Sequence, residues 1–512
     1  MSLFIKKPLA QLLAQAGDSD KGLKRSLGAA NLVALGIGAI IGAGLFVRTA
    51  AAAAESAGPA VVISFIIAAV GCAFAGLCYA EFASMIPIAG SAYTYAYATM
   101  GELVAWIIGW ALVLEYALGA ATVSIAWSEY LNNLLGGAVP YSLSHSPFEH
   151  LVTRLVNGKE ALVSTTEIFA SDTIVSQGII NLPALLILTI LTLVLIKGTS
   201  ESASLNAVIV FIKVSIVLVF IALGWSYINP DNYVPYIIPE GTPGHESIRE
   251  WGWTGVLGGA GIVFFAFIGF DAVSTAAQEA KNPKRDMPMG ILGSLVVCTI
   301  LYVLFSYVLT GIANWREFET VGKEASVAYA IKTYMPGYEW LEKGISIAIL
   351  AGFSSVILAM LFGQSRVFYS MSNDGLIPKV FAELHPKFRT PYKSNMILFL
   401  FVGVFAGFVP GSMAGDLTSI GTLFAFVLVC IGVWIMRVKN PEIPRAFKTP
   451  LVPLVPILGV LVCTAMIVLL DPYTIMVAGI WMMIGLVVYF TYSRHTSHLQ
   501  QNKNKKVGEK VK

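Results

Sequence analysis

Charge is scarce in this chain. Only 12% of its 512 residues are Asp, Glu, Lys or Arg, against 56% apolar, and the mean hydropathy is +0.75. A soluble chain of this length would divide into several domains with charged surfaces. This composition excludes that class and points to a polytopic membrane protein. Cysteine is scarce too: Cys72, Cys78, Cys298, Cys430 and Cys463 all fall in apolar runs. They read as small buried hydrophobes, not as disulfides or metal ligands. The six histidines lie in polar loops or the tail, so no zinc or haem site is expected within the apolar runs. No His, Cys–His or paired-carboxylate constellation is visible in those runs either, which argues against an enzyme. About 26 polar residues precede the first run, so no cleavable signal peptide is expected.

What is present is length of apolar sequence. Runs occupy about 29–53, 60–84, 102–127, 179–196, 206–226, 255–277, 289–313, 345–368, 395–409, 417–437, 451–470 and 473–492. By length these read as twelve spans, the ninth being the shortest and ending at Pro410. Of the 33 Lys and Arg, 24 fall in the two tails and the alternate loops that share their side, and eight on the other side. That bias puts both termini in the cytosol. The outside loop at about 130–178 is polar and reads as a short surface helix or a cap. The Lys-, Asn- and Gln-rich tail after Tyr492 reads as disordered.

Two glycine-studded stretches organise the rest. Gly36-Ile-Gly-Ala-Ile-Ile-Gly-Ala-Gly-Leu-Phe46 packs four glycines into nine positions, which makes a continuous helix marginal. Gly258-Gly-Ala-Gly-Ile-Val-Phe-Phe-Ala-Phe-Ile-Gly-Phe-Asp271 repeats that character about 225 residues later. No strand precedes the first stretch and no acidic residue follows at the dinucleotide-binding distance, so its Gly-x-Gly is not a nucleotide loop. Close helix packing through small residues would use the same glycines. The pair, however, points to two interrupted spans, the mark of a secondary transporter with inverted repeats and a mid-membrane site. A half-helix resuming near Ala43 and Gly44 presents free N–H groups and a positive dipole end to a carboxylate. Carbonyls near Ile40 and at Phe265, Ala266 and Ile268 can accept from an ammonium. A carboxylate and an ammonium at fixed spacing describe an α-amino acid.

Lys213 lies mid-span, where a charged lysine costs roughly 2.5–3.5 kcal/mol on insertion scales. Burial penalises its charged form, so it can exchange a proton during a transport cycle; the alternative is a permanent ammonium that locks the fifth span to carbonyls of the first break. Glu115 lies midway along the third span and can attract a cationic side chain, join a proton relay, or serve only as a hydrogen-bonded packing residue. Ser354 and Ser355 offer sodium ligands or simply bond back to their own helix. Asp271 caps the resuming half-helix on this reading, and Asp286 in Lys281-Asn-Pro-Lys-Arg-Asp-Met-Pro288 caps the seventh span. Arg366 and Ser372–Pro378 mark the cytosolic end of the eighth span, as part of an inner gate.

Together these residues resemble the amino acid–polyamine–organocation superfamily, and within it bacterial homologues of the cationic amino acid transporters. The matching stretches are Gly36–Phe46, Gly101-Glu-Leu through Glu115-Tyr116, Lys213, Phe264–Thr275, Lys281–Pro288 and Arg366–Pro378. The resemblance implies an all-α polytopic protein with the leucine-transporter fold: a 5+5 inverted repeat with broken first and sixth helices, plus two trailing spans. The implied division is a cytosolic segment 1–27, a core 28–437 (repeats about 28–226 and 252–437), trailing helices 438–492 and a disordered cytosolic tail 493–512. It implies that Ile40, Ile41, Gly42, Ala43 and Gly44 hold the substrate carboxylate, that Phe265, Ala266 and Ile268 receive the amine, that Glu115 approaches a basic substrate's distal end, and that Lys213 couples a proton. Ala111 stands where relatives often carry an acid, which weakens the expectation of arginine or lysine as substrate; Gln278 stands where glutamate is common. The expected activity is proton-coupled symport of L-amino acids in a bacterial cytoplasmic membrane. Obligate amino acid or polyamine exchange is the alternative. No cofactor other than the proton and no nucleic acid is expected, and a small single-span accessory subunit is compatible with the chain.

Overall fold

The computed structural model describes residues 3–8, 27–42, 44–86, 91–156, 159–166, 168–169, 172–197, 203–275, 277, 280–319, 326–388 and 390–501. Its long helices are α1 (Ala29–Ile40), α2 (Val61–Met85), α3 (Glu102–Leu134), α4 (Leu182–Lys197), α5 (Ala203–Gly224) and α6 (Gly252–Phe264). They continue as α7 (Pro283–Ile312), α8 (Glu339–Asn373), α9 (Tyr392–Phe408), α10 (Gly411–Lys439), α11 (Leu454–Val468) and α12 (Pro472–Val488). Among the described residues, eight helical stretches are long and apolar enough to cross a bilayer, and four shorter apolar helices accompany them. Each apolar run of the sequence coincides with one of these helices.

α7 lies along both α1 and α2, α5 crosses α1 and α8, and α10 packs on α11 and on the middle of α3. The interior is lined by buried small and aromatic side chains, while Phe211, Leu400, Val438 and Met483 point outward, as expected where lipid replaces water.

The described ends of the chain meet on one face. Glu102 N–H donates to Ile5 O at 2.9 Å, and its carboxylate accepts from Tyr97 and Tyr489 hydroxyls, Gln500 Nε2 and Ser497 Oγ. Asp374 at the end of α8 takes Lys7 Nζ at 3.0 Å and Tyr93 OH at 2.8 Å, and its carbonyl takes His498 N–H. The start of the tail is therefore a docked helical segment, Arg494–Thr496 and onward to Gln501, instead of the disordered chain expected from its composition. Glu102 is fully buried, and its acceptor oxygens require these donors. Residues 502–512 lie outside the described set.

On the opposite face the 130–178 loop forms an antiparallel sheet in the order β2-β1-β3: β1 His150–Val156, β2 Lys159–Thr165, β3 Thr173–Gln177. Val152 pairs with Val163 and Ile174; Val152 and Val163 are buried, while Ile174 is exposed. The loop carries both expected features, a short helix at Tyr141–Ser144 and a cap made of strands. At the other face, α7 starts at Pro283 with Asn282 as its N-cap. Asn282 makes no side-chain capping bond; Asp286, one turn inside, accepts the Asn282 N–H at 3.1 Å and so serves the helix start from within the first turn instead of from the N-cap position.

Candidate functional site

Both glycine-rich stretches are broken. α1 stops where Ile41 turns extended (φ −72°, ψ 102°), and helix resumes as a π turn, Gly44–Arg48. α6 tightens into a 3-10 turn, Phe265–Phe267, before Ile268 (φ −59°, ψ 135°) and Gly269 (φ +112°) leave the helix; Ala272–Thr275 resumes it. Gly269 is the position where positive φ demands glycine. The two breaks touch: a Cβ on Gly44 would run into the Cα of Ala266 and lie within 2.6 Å of its N, and one on Gly269 would lie 2.8 Å from Ala39 O. Glycine here is a condition of backbone-to-backbone approach. Ala43 lies outside the described residues.

Three of the carbonyls expected to receive an amine, those of Ile40, Phe265 and Ala266, have protein partners in this conformation. Tyr302 OH, from α7, lies 3.0 Å from Ile40 O and 2.8 Å from Ala266 O, and so bridges the two breaks. Phe265 O accepts the Ile268 N–H at 3.3 Å, and Ile41 N–H is spent on Ile37 O at 2.9 Å. Tyr302 is not singled out by the sequence, although a tyrosine in an apolar run needs a buried partner for its hydroxyl. Replacing Tyr302 with Phe keeps the ring and strands two buried carbonyls, a loss of about 1–3 kcal/mol from the state in which the breaks are joined. Uptake should slow by about 10- to 100-fold, read as the initial rate at saturating substrate.

Lys213 is 3% exposed. Its ammonium donates to Gly38 O, just before the first break, and to Ser355 Oγ on α8, each at 3.0 Å. Its stem packs on Gly352, where an added Cβ would come within 2.9 Å of Lys213 Cε. Ser354 and Ser355 bond back to Leu350 O and Gly352 O, so the two serines bond to their own helix and Ser355 also serves the lysine. Beside them is a tight crevice, too narrow in this conformation to admit a water molecule, lined by Ile41, Gly42, Phe46, Lys213, Ile216, Ala348, Ile349, Gly352 and Phe353. Apart from the lysine and the glycines, that lining is apolar.

Glu115 lies in a π turn, Val113–Leu118, that interrupts α3; such turns often mark functional positions. It is fully buried, and the groups that act on it are Asp271 and Thr422. Asp271, just before the resumed half-helix, accepts from Tyr116 OH at 2.7 Å. The third span and the second break are thus joined side chain to side chain. Gln278 lies outside the described residues.

Farther along the first broken span, Arg48 pairs with Asp416 on α10, both buried, on the face away from the chain ends. The pair ties the resumed half-helix to α10. Asp416→Asn leaves a buried guanidinium without its countercharge, at about 3–5 kcal/mol. Uptake should collapse, and the reversed pair Arg48→Asp with Asp416→Arg should recover part of it in the same assay.

This arrangement brings the two helix breaks together beside Lys213. Residues 27–492 match the amino acid permease family. The chain belongs to that family. It is 42% identical over 98% of its length to the branched-chain amino acid permease BcaP of Bacillus subtilis (strain 168), of which it covers 99%. It is 40% identical, over 98% of the chain and 100% of the relative, to a methylthioribose transporter of the same organism. It is 32% identical over 83% of the chain to the human cationic amino acid transporter 4, covering 62% of it. This permease is therefore a multi-pass membrane transporter and a bacterial-type relative of the cationic amino acid transporters. Such relatives are permeases and transporters, not enzymes.

Proposed function

We propose that this permease is a proton-coupled symporter of L-amino acids with apolar, branched side chains, working by alternating access. The observation that carries it is the meeting of two helix breaks with Lys213, whose ammonium rests on Gly38 O at the mouth of the first break. Substrate carboxylate docks at Ile40–Gly44, Ala43 included, and the amine takes carbonyls of Phe265, Ala266 and Ile268 as Tyr302 yields them. Lys213 gains or releases the coupling proton, and no other cofactor takes part. The apolar crevice beside Lys213 and the branched-chain relative support an apolar side chain, as does Ala111 in place of an acid.

The reading includes the leucine-transporter fold, two five-span inverted repeats (about 28–226 and 252–437) and two trailing spans, twelve in all. It places the chain in a bacterial cytoplasmic membrane with both ends inside. The meeting of the two described ends on Glu102 and Asp374 supports a common side for them.

A second reading is favoured by the relative at 40% identity: transport of methylthioribose, which has neither carboxylate nor ammonium. Competition separates the two. Valine, leucine and isoleucine should displace labelled leucine from the purified protein, arginine should do so weakly, and methylthioribose should not. Displacement by methylthioribose alone would overturn the amino acid assignment. Obligate exchange, the remaining alternative, predicts uptake only into vesicles preloaded with amino acid.

A further inference from the structure

Glu115 and Asp271 come from segments 156 residues apart, one in the π turn of α3 and one at the end of the second break, and both are fully buried. Tyr116 OH donates to Asp271 Oδ2, and the backbone N–H of Ala272 also faces this carboxylate. Asp271 Oδ1 and both oxygens of Glu115 find no donor. A buried carboxylate without donors or a countercharge is among the costliest groups a membrane interior can hold. A single hydrogen resolves most of this. Placed on Glu115 and directed at Asp271 Oδ1, it satisfies one oxygen of each residue; Thr422, which faces Glu115, already donates its hydroxyl to Thr418 O at 3.0 Å.

Among the described residues, the surroundings supply no cation to do the same work. Tyr79 from α2 and Tyr116 from α3 both face the pair, Tyr95 from the short helix Ser91–Thr99 reaches Ser274, and Thr422 comes from α10. No Lys, Arg or His is among the groups that act on Glu115. Tyr79 OH, fully buried and without a hydrogen-bond partner, feels the charges of Asp271 and Glu115.

We infer that Glu115 and Asp271 form a proton-binding site of their own, separate from Lys213, in which Glu115 carries the proton and donates it to an ionised Asp271. All the donors converge on Asp271, which marks it as the ionised partner. Occupied, the site joins the third span to the second break. Emptied, it sets two buried carboxylates side by side, and their repulsion drives Asp271 and the half-helix after it away from α3. The inference does not rest on the coupling role of Lys213.

Infrared difference spectroscopy of the full-length protein in lipid nanodiscs tests it directly. At neutral pH a C=O band of a protonated carboxyl is expected, shifting in heavy water, lost in Glu115→Gln and retained in Lys213→Ala. In Asp271→Asn the band should persist at a shifted frequency, because the acceptor changes from carboxylate to amide. Should Glu115→Gln fail to fold, carbon-13 glutamate in the unmutated chain serves instead: the band must move with that label and not with labelled aspartate. Identical neutral-pH spectra for wild type and Glu115→Gln would overturn the inference. So would a band that follows the aspartate label, or one abolished by sodium, which would make the pair a metal-cation site. Retention of the band in Lys213→Ala keeps this result independent of whether transport is proton-driven.

Discussion

Gly44→Ala is expected to abolish most transport while leaving a folded protein. The Cβ it adds would meet the backbone of Ala266, which cannot rotate aside as a side chain would. The two broken helices must then separate by roughly 1.5 Å to regain ordinary contact. Overpacking of this kind costs about 1–3 kcal/mol, charged here against the one conformation in which the breaks meet. The population of that conformation, and with it the uptake rate, should fall by about 10- to 100-fold. Gly344→Ala is the control, because nothing lies within 4 Å of its added Cβ and alanine is the better helix former. Uptake into proteoliposomes, with thermal unfolding run alongside, checks both. Near-normal transport in Gly44→Ala would mean that the breaks need not approach this closely.

Lys213→Ala is expected to remove accumulation against a gradient and to spare substrate counterflow. The wild-type ammonium ties α5 to Gly38 O on α1 and to Ser355 on α8, so its presence holds the first broken span in place. If a proton must leave for that span to move, alanine uncouples the cycle: substrate still crosses, but no longer uphill. Lys213→Arg sharpens the test. A guanidinium never gives up its charge under these conditions, so it should keep the ties and still fail to concentrate substrate. Accumulation by the arginine variant would make the lysine a fixed structural cation and move the coupling proton to another group.

Where the chain breaks was legible because glycine spacing is a local property. Four glycines within Gly36–Gly44 and the Gly269 turn declare themselves without reference to the fold. Lys213 was legible for a similar reason, since a lysine amid Val, Ile and Phe needs explaining wherever it is found. What those breaks do with their carbonyls was not legible: Tyr302 is distant in sequence from Ile40, and only the packing of α7 along α1 brings its hydroxyl between Ile40 O and Ala266 O. The pairing of Glu115 with Asp271 was hidden in the same way, which is why no paired carboxylates were visible in the apolar runs. The docked tail depends on Glu102, which enters the sequence reading only as part of the Gly101-Glu-Leu stretch. Its donors Ser497 and Gln500 lie in a segment whose composition suggests disorder. Local chemistry reads off the chain; contacts made by the folded bundle do not.

The most direct measurement of the central claim is proton movement during uptake by wild-type protein. Proteoliposomes containing a trapped pH-sensitive dye, with no preloaded amino acid, would receive labelled leucine under an inward proton gradient and then without one. Proton-coupled symport at the paired breaks predicts acidification of the lumen on leucine addition and accumulation that collapses with the gradient. Leucine entry only into preloaded vesicles, with no change of internal pH, would contradict it.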